Sequence, residues 1–455
     1  MRSLLLAAVA ASTLAAPLAA QNAPTDSAVF AIIKERVDAG RFAGVAVGLV
    51  TRDGKRQVIA YGPNAGVQPF DGNSVFEIGS ITKTFTAAIL ADMVKKGEVS
   101  LDDPVVKYLP PGTVIPGRDG KQITLLDLAT QSSGLPRMPS NFAPKDPQNP
   151  YADYTPEQMY QFLAGYTLPR GVGEKYEYSN LGVGLLGQAL ARRAGTDYET
   201  LVTRRVLKPL GMKDTRIGLD ASMQKRLAPG HSDNGTVAKN WDLPTFAGAG
   251  ALRSTVNDML AYIHANADST SRPLGATMAM THFQRRPGPT PQIMLGLIWN
   301  RLKGPNGNTL VWHNGGTGGY RTFTGYSEAT GLGVVVLSNT NQSVDDIGLH
   351  LLDATFPLAP IPKVRKEVTL AADVLERYVG VFAVTPAFAL TITREGTQLF
   401  AQATDQPRFP LFAEREDEFF LKVVDAQVTF TKDGTGAVTA LVLHQGGQNI
   451  PGRKR

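Results

Sequence analysis

A serine and a lysine three positions apart, Ser80 and Lys83, lie in the stretch FEIGSITKTFTAA at residues 76–88, which has the pattern of the start of an amphipathic helix. Residues i and i+3 share a helix face, so the lysine ammonium can reach the serine hydroxyl. The free N–H groups at the helix start would stabilise an oxyanion, and burial would lower the pKa of Lys83 until it could act as a base. The pair therefore predicts a nucleophilic serine with a lysine as its proton partner.

The S-x-x-K pattern alone is weak evidence, because about one match is expected by chance in a chain of this length. Ser222 and Lys225 repeat the pattern in the short polar stretch ASMQKRLAPG, whereas Ser80 opens a long apolar segment. A helix-capping serine and a surface lysine explain Ser80 and Lys83 equally well at this point.

A second pattern, Y-x-N, occurs once in the chain, as Tyr178 and Asn180 in KYEYSNLG. A phenol near a lysine can exchange protons with a serine hydroxyl, and an asparagine amide can bind a substrate carbonyl. A tyrosine at the edge of the core and a helix-capping asparagine are the alternatives for these two residues.

A third pattern places His313 after the strand-like run TLVW and before the glycines Gly315 and Gly316. The histidine could donate a hydrogen bond to a substrate, and the glycines would allow a substrate backbone to approach closely. His444 repeats this arrangement in HQGG after ALVL. For His444, a hydrogen-bonded surface histidine is the simpler explanation.

The elements that must position these residues are strands at both ends of one domain. GVAVGLVTRDGKRQVIAYG has two β-rich runs around Asp53-Gly54, and further strand-like runs occur at 309–313, 320–327 and 332–338. The intervening sequence is mostly helical, including SNLGVGLLGQALARRAG and STVNDMLAYIHANA. We therefore expect an α/β (α+β) fold, in which an antiparallel sheet is flanked by helices and accompanied by a helical subdomain.

The chain divides into four segments. Residues 1–20 have one arginine, an apolar run and small residues before Gln21, which is typical of a cleavable signal peptide. Residues 21–358 form the hydrolase-like domain, and 359–365 a Pro-rich linker. Residues 366–455 alternate around Glu395-Gly396 and Asp433-Gly434, which predicts a small β domain. The signal predicts a periplasmic or secreted protein.

Composition excludes several classes of protein. The 455 residues are 43% apolar and 19% charged and include no cysteine, which is typical of a globular protein without disulfides or thiolate metal sites. The net charge of +6 comes from scattered basic residues and predicts no nucleic-acid interface. No apolar run after the signal is long enough to span a membrane. The six histidines are dispersed, with no H-E-x-x-H and no G-x-S-x-G, so we expect no metal, no cofactor and no α/β-hydrolase site.

In the order and spacing of its motifs the chain resembles the penicillin-recognising serine hydrolases, specifically the class C β-lactamase-like family that includes D-alanyl-D-alanine carboxypeptidases, D-aminopeptidases and family VIII esterases. The resemblance extends over roughly residues 25–345 and rests on six blocks: FEIGSITKTFTAAIL, VSLDDPVVKYLP, ITLLDLATQSSGLP, YEYSNLG, GALRSTVNDML and WHNGGTGGYRTF. The C-terminal segment resembles the lipocalin-like β domains appended to some relatives.

The resemblance implies a role for each residue of the three motifs. Ser80 would be the acylated nucleophile, Lys83 its proton partner and Tyr178 the shared acid and base. The other implied residues are a substrate-binding set, Asn180, His313 and Gly315, and an oxyanion hole made by the backbone N–H groups of Ser80 and Gly316.

The third motif departs from the β-lactamase pattern, because His313 stands where those enzymes have the lysine of K-T-G. A histidine is charged only in part at neutral pH, so a substrate carboxylate would be paired less well and efficient β-lactam turnover is not expected. The sequence predicts a secreted serine acyl hydrolase acting on an ester, a D-amino-acid peptide or a related amide. A class C-like β-lactamase and a penicillin-binding or peptidoglycan-sensing module without turnover are the alternatives, and the oligomeric state stays open.

Overall fold

The computed structural model describes residues 23–62, 69–268, 273–361, 365, 367–386, 388–404, 406–422, 426–445 and 448–455. The chain divides into two compact units, and the boundary in the sequence falls between Ala359 and Pro360. The predicted signal peptide, residues 1–20, and residues 362–364 of the predicted linker lie outside the described residues. No helix in the described part of the chain combines the length and the apolarity needed to cross a membrane.

The first unit contains twelve helices within the described residues, and the second unit contains one. They are α1 Asp26–Asp38, α2 Thr82–Lys95, α3 Leu125–Ala129, α4 Pro156–Gly165, α5 Asn180–Arg193, α6 Tyr198–Val202, α7 Lys208–Leu210, α8 Ala221–Arg226, α9 Ala247–Gly250, α10 Val256–Ala267, α11 Gly275–His282, α12 Asp345–Leu352 and α13 Ala372–Glu376. Short 3₁₀ turns occupy Gly79–Ile81 and Val105–Tyr108.

The described strands of the first unit range from two to eight residues in length. They are β1 Val45–Val50, β2 Arg56–Tyr61, β3 Phe76–Glu77, β4 Gly117–Arg118, β5 Lys121–Gln122, β6 Arg253–Ser254, β7 Arg286–Pro287, β8 Ile293–Leu295, β9 Asn300–Lys303, β10 Thr309–Gly316, β11 Arg321–Ser327 and β12 Gly333–Ser338.

An antiparallel sheet of eight strands, in the order β2-β1-β12-β11-β10-β9-β8-β7, forms the centre of the first unit. β1 pairs with β2 as the predicted hairpin and also with β12, where Val45 faces Ser338. The two ends of the domain therefore share one sheet, as the sequence predicts.

Helices cover both faces of this sheet. Successive side chains of a strand point to opposite faces. Val45, Val47 and Leu49 of β1 pack with α1 and α12 in one core cluster, and Ala46 and Val50 belong to the larger cluster that includes α10. The strand is apolar throughout because it is buried on both sides.

The helix that follows Ser80 differs from the amphipathic helix expected. Ser80 itself lies in the 3₁₀ turn Gly79–Ile81, and α2 begins two residues later. Every residue from Thr82 to Met93 is buried, because α2 packs against α5, α9 and α11. α2 is therefore a central core helix, buried on all sides.

Residues 99–250 carry most of the remaining helices and form the helical subdomain. Its helices begin at local signals in the sequence. Thr155 caps α4 and forms a capping box with Gln158, with Pro156 at the first helical position. The predicted fold class is confirmed for this unit.

The second unit is a closed barrel of eight antiparallel strands in sequential order. The strands are β13 Gly380–Thr385, β14 Phe388–Glu395, β15 Gln398–Ala403, β16 Arg408–Ala413, β17 Glu418–Phe420, β18 Ala426–Lys432, β19 Val438–Gln445 and β20 Gln448–Lys454. Its own core includes Tyr378, Phe382, Phe419 and Phe430, with Tyr378 and Phe419 edge to face at 5.1 Å. The predicted small β domain is confirmed, and its relationship to lipocalins stays a prediction.

Candidate active site

A cleft of about 470 Å³ brings together residues from all three sequence motifs. They come from the 3₁₀ turn before α2, the start of α5, strand β10 and the loops around them. The described residues that line the cleft are Ser80, Arg137, Tyr151, Tyr178, Asn180, Trp241, Asn314, Gly315, Gly316, Thr317, Gly318, Arg321 and Asn341.

Lys83 lies next to Ser80, buried outside the described lining of the cleft. Its Nζ is 2.9 Å from Oγ of Ser80 and donates a second hydrogen bond, of 2.6 Å, to the carbonyl oxygen of Ala249. Neither of these hydrogen bonds is to a carboxylate. Its hydrogen-bond partners are therefore neutral.

This environment changes the acidity of Lys83. Burial lowers its pKa well below the ordinary value of 10.5, and the nearby positive charge of Arg137 lowers it further. Both effects favour the neutral amine. Lys83 can therefore accept a proton from the hydroxyl that it contacts.

Tyr178 reaches Ser80 from the other side of the cleft. The next residue, Ser179, caps α5 by accepting a hydrogen bond of 2.8 Å from the N–H of Gly182, which fixes the chain just before the helix. The phenol of Tyr178 donates a hydrogen bond of 2.7 Å to Oγ of Ser80. Burial raises the pKa of Tyr178, while its bond to Ser80 and the charge of Arg137 act in the opposite direction. The phenol is therefore a proton donor at neutral pH.

Asn180 is the first residue of α5 and lines the cleft. Its backbone N–H donates to the carbonyl of Arg137 at 3.1 Å, and its Nδ2 lies 3.9 Å from the sulfur of Met138. The amide also interacts with the phenol of Tyr151. An asparagine amide that lines the cleft can donate a hydrogen bond to a substrate carbonyl.

The glycines near Ser80 allow two backbone segments to pack directly against each other. Gly79 has φ +51, and a Cβ on it would lie 2.7 Å from the backbone nitrogen of Gly316. A Cβ on Gly315 would collide with the carbonyl oxygen of Ile78. A side chain at either position would separate β10 from the serine turn. Gly315 lines the cleft. The position needs a glycine because a side chain there would collide with the backbone of Ile78.

His313, the residue of the third motif that was predicted to bind substrate, lies in a buried environment. His313 is 4% exposed and is not among the described residues that line the cleft. Burial lowers its pKa to about 4, an effect that a protonated Lys83 would reinforce, although the hydrogen bond of Nδ1 with the Asn314 carbonyl acts in the opposite direction. Burial therefore favours the neutral imidazole, and the role of His313 in substrate binding stays a prediction.

Two arginines in the cleft were not predicted from the sequence. The guanidinium carbon of Arg137 lies 5.0 Å from the centre of the Tyr178 ring, and Arg321 lines the cleft beside Gly316. Both residues adjoin or lie within blocks of the family resemblance, SSGLP before Arg137 and WHNGGTGGYRTF around Arg321. The signal in the sequence that could have indicated them was an arginine directly after, or within, a block of the resemblance.

A buried ion pair supports the wall of the cleft opposite Tyr178. Glu77 accepts a hydrogen bond of 2.9 Å from the backbone N–H of Trp241, and Arg253 donates one of 2.9 Å to the Trp241 carbonyl. Glu77 and Arg253 are 3.3 Å apart. Burial raises the pKa of Glu77, and the charge of Arg253 counteracts that rise. The pair holds the backbone of Trp241 in place at the cleft wall.

The two repeated motifs lie elsewhere. Ser222 and Lys225 are exposed on α8. His444 lies on β19 of the barrel, with its ring nitrogens 3.0 Å from the hydroxyl of Thr429 and 2.7 Å from Oδ1 of Asn449. His444 is therefore a hydrogen-bonded strand residue, in agreement with the simpler of the two explanations considered from the sequence. Within the described ranges, no group of three or more His, Asp or Glu side chains is arranged to hold a metal ion.

A serine hydroxyl in contact with a buried lysine and a tyrosine phenol, in a cleft between a helix-covered antiparallel sheet and a helical subdomain, defines a serine hydrolase of the penicillin-recognising class. The Beta-lactamase family matches residues 29–354, and the chain belongs to this family. A second family, described as a domain of unknown function (DUF3471), matches residues 364–454.

Similar proteins include both peptidases and β-lactamases. The D-alanyl-D-alanine-carboxypeptidase/endopeptidase AmpH of Escherichia coli (strain K12) is 32% identical over 74% of this chain and 91% of its own length. A β-lactamase of Pseudomonas fluorescens is 28% identical over 66% of this chain and 89% of its own length. The chain is therefore a β-lactamase-like or D-alanyl-D-alanine-carboxypeptidase-like serine hydrolase.

Solved structures share the fold of the first unit. A class C β-lactamase aligns with a TM-score of 0.63 and 23% identity, covering 72% of this chain and 96% of its own. A β-lactamase/D-alanine carboxypeptidase from Yersinia pestis aligns with a TM-score of 0.61 and 25% identity, covering 73% and 96%.

Proposed function

We propose that this protein is an exported serine acyl hydrolase that cleaves an ester, a D-amino-acid peptide bond or a related amide through an acyl-enzyme on Ser80. The observation that carries the proposal is that Oγ of Ser80 contacts both Nζ of Lys83, at 2.9 Å, and the phenol of Tyr178, at 2.7 Å. A nucleophile in direct contact with a base and an acid is the arrangement that acyl transfer requires.

The first step is attack by Oγ of Ser80 on the substrate carbonyl carbon. Lys83, in the neutral amine form that burial favours, takes the hydroxyl proton as the new C–O bond forms. The carbonyl oxygen gains negative charge and is stabilised by the backbone N–H groups of Ser80 and Gly316. The close packing of Gly79 against Gly316 keeps these two segments together.

Collapse of this intermediate breaks the bond to the leaving alcohol or amine. Tyr178 donates its phenolic proton to the leaving oxygen or nitrogen, and Lys83 passes the proton that it took from Ser80 to the resulting phenolate. Lys83 and Tyr178 can exchange this proton because Nζ lies 5.0 Å from the centre of the tyrosine ring and both groups touch Oγ of Ser80. The acyl-enzyme is then hydrolysed by water, which releases the acid and restores the serine hydroxyl.

The proposed substrate class is supported by the relatives and by the third motif. The relative with 32% identity is named a D-alanyl-D-alanine-carboxypeptidase/endopeptidase. A lysine is absent from position 313, where β-lactamases with K-T-G have one. The export proposed here rests on the signal-like composition of residues 1–20.

A comparison of turnover on three substrates tests the proposal. A chromogenic cephalosporin, short-chain aryl esters and D-alanyl anilides are assayed side by side with the wild-type protein and Ser80→Ala. We expect turnover of the esters or anilides above the cephalosporin, and none in the variant. Cephalosporin turnover above the others would identify a β-lactamase. A burst of product without steady turnover on every substrate would identify a penicillin-binding module.

A further inference from the structure

The segment that carries Tyr178 is held on both sides of the tyrosine by one residue, Gln131. The backbone N–H of Glu177 donates a hydrogen bond of 2.7 Å to the carbonyl oxygen of Gln131. The backbone N–H of Ser179 donates one of 2.7 Å to Oε1 of the Gln131 side chain. The two residues that flank Tyr178 in the chain are therefore bound to the main chain and the side chain of the same glutamine.

The backbone of Gln131 adopts a conformation that is unusual for a glutamine. Its φ is +53, in the left-handed region, and it directly follows Thr130, the residue that ends α3. Glycine is the usual residue at this position after a helix, because it has no Cβ to strain the left-handed conformation. A non-glycine residue held in such a conformation points to a use for its side chain.

The side chain of Gln131 is buried, with only 4% of the residue exposed. Because the partner of the amide is a backbone N–H, the amide oxygen must be the atom that faces Ser179. The amide nitrogen, Nε2, has no hydrogen-bond partner among the described residues. The bond to Ser179 is therefore the specific contact that this buried amide makes in the described part of the chain.

The backbone on both sides of Gln131 is itself anchored. The carbonyl oxygen of Ala129 accepts a hydrogen bond of 2.7 Å from the N–H of Ile298. The carbonyl oxygen of Ser132 accepts one of 2.8 Å from the N–H of Gly173. Gln131 is thus a fixed point in the core from which the segment before α5 can be held.

The position of this segment decides whether the phenol of Tyr178 reaches Ser80. Tyr178 itself belongs to no helix or strand, since α5 begins two residues later. Its phenol donates a hydrogen bond of 2.7 Å to Oγ of Ser80. A displacement of about 1 Å at a reacting group can lower a rate about 10²-fold. The hydrogen bonds that fix the backbone of Tyr178 therefore bear on the proton transfer.

We propose that Gln131 is a positioning residue for proton transfer at Ser80, because its two oxygens hold the backbone on either side of Tyr178 and keep the phenol within reach of Oγ. This inference rests on the proposed function, in which Tyr178 protonates the leaving group. Gln131 is not among the described residues that line the cleft, so it acts through Tyr178 and not on the substrate.

Gln131→Met tests the role of the side chain, because methionine has a similar length but offers no oxygen to the N–H of Ser179. With an aryl ester as substrate, kcat should fall about tenfold or more, the effect of a misplaced proton donor. KM should change less than kcat, since Gln131 lies outside the described cleft lining. Gln131→Asn, which tolerates the left-handed conformation but is one methylene shorter, should show the same result and serves if the methionine variant fails to fold.

A double-mutant cycle shows whether Gln131 acts through the phenol. In the Tyr178→Phe background the phenol is already absent, so the addition of Gln131→Met should leave kcat nearly unchanged. Residues that act as one unit have non-additive effects of this kind.

Gln188→Met is the matched control. Gln188 is a partly buried glutamine on α5, and its side chain accepts a hydrogen bond of 2.7 Å from the phenol of Tyr160 and donates one of 2.9 Å to the carbonyl of Thr245. The same substitution here removes two hydrogen bonds, neither of which involves the segment of Tyr178. This variant should keep the wild-type kcat.

An unchanged kcat in Gln131→Met and Gln131→Asn would overturn the positioning role. The same fall in kcat with and without the phenol would also overturn it, since Gln131 would then not act through Tyr178. An equal fall in Gln188→Met would trace the effect to a general loss of stability, with the same consequence. Failure of the proposed function gives a different result, because the wild-type protein would turn over no ester and Ser80 would not be labelled by a fluorescent penicillin.

Discussion

The phenol of Tyr178 donates a hydrogen bond of 2.7 Å to Oγ of Ser80, although 98 positions separate the two residues in the chain. Ser80 lies in the turn before the central helix α2, and Tyr178 directly before α5. α2 and α5 pack against each other in the core. The contact therefore depends on the packing of these two helices, and it connects a nucleophile to an acid.

Ser80→Ala should abolish covalent labelling by a fluorescent penicillin or an alkyl phosphonate. The reason is that the hydroxyl of Ser80 contacts both Lys83 and Tyr178. Ser222→Ala is the matched control, because Ser222 begins the same motif on the exposed helix α8. Gel fluorescence and mass spectrometry of the labelled peptide provide the measurement. A label on Ser222, or full labelling of Ser80→Ala, would refute the assignment of the nucleophile.

Tyr178→Phe should lower kcat by about 10²-fold or more, the usual effect of losing a positioned proton donor. The ring remains and can still pack near Arg137 and Lys83, so substrate binding should change little. Steady-state kinetics on an aryl ester separate kcat from KM. A rise in KM at constant kcat would show that Tyr178 only shapes the cleft.

Arg137→Gln should shift the acidic limb of the pH–rate profile to higher pH. The proposed base is the neutral amine of Lys83, so kcat/KM rises as Lys83 loses its proton and levels off well below pH 10.5. The positive charge of Arg137 lowers the pKa of Lys83, so its removal raises that pKa. The charged and titratable groups near Lys83 also include His313 and Tyr178, which the variant retains.

The measurement is kcat/KM of a neutral ester between pH 5 and 10, with Arg118→Gln as the control. Arg118 lies on β4, outside the described lining of the cleft. Superimposable profiles for wild type and Arg137→Gln would show that Arg137 does not influence the base.

The free energy of unfolding should decrease as the pH is lowered from about 6.5 toward 4, because two buried histidines resist protonation in the folded protein. Burial lowers the pKa of His313 to about 4 and that of His282 to about 3. The unfolded chain therefore binds protons below pH 6.5 that the folded chain excludes, and stability is complete only above that pH. The difference between the pKa of His313 in the unfolded chain, 6.5, and in the folded protein, about 4, corresponds to about 3 kcal/mol in the free energy of unfolding.

His282→Gln isolates one of these contributions. In the folded protein His282 lies 2.9 Å from the hydroxyl of Tyr326 and 2.9 Å from Oδ1 of Asn266, so both ring nitrogens have partners in the neutral form. The variant should show a smaller loss of urea stability between pH 7 and 5 than wild type, whatever its stability at pH 8. Equal losses would contradict the buried neutral histidine.

Removal of residues 360–455 should leave the first unit folded and Ser80 reactive. The first unit has two core clusters of its own, and the barrel core consists of residues from the second unit. Labelling of the truncated chain by a fluorescent penicillin, together with a cooperative thermal transition, provides the test. His444→Ala in the full chain should keep small-ester turnover, because the contacts of His444 lie within the barrel. A folded but unreactive truncated protein would require the second unit for catalysis.

The local pattern of the sequence predicted several elements of the fold. Apolar alternation indicated the hairpin of β1 and β2 and the strands β10 to β12, and helical periodicity indicated α5 and α10. These predictions succeed because strand and helix periodicity depend on neighbouring residues. The burial of α2 on all sides was not predicted, since it results from helices that are distant in sequence.

The sequence by itself determined which residue types and spacings were present: a serine and a lysine one helical turn apart, a single Y-x-N and a glycine-rich strand end. Only the tertiary structure shows that Ser80 contacts both Lys83 and Tyr178, because the contact with Tyr178 depends on packing between distant segments. It also decided the charges. Burial lowers the pKa of His313 and so favours its neutral form, while Arg321 lies beside Gly316 and is attracted by Asp233 and Asp345. Solvation and charge pairing depend on three-dimensional surroundings, which the spacing of residues in a chain does not specify.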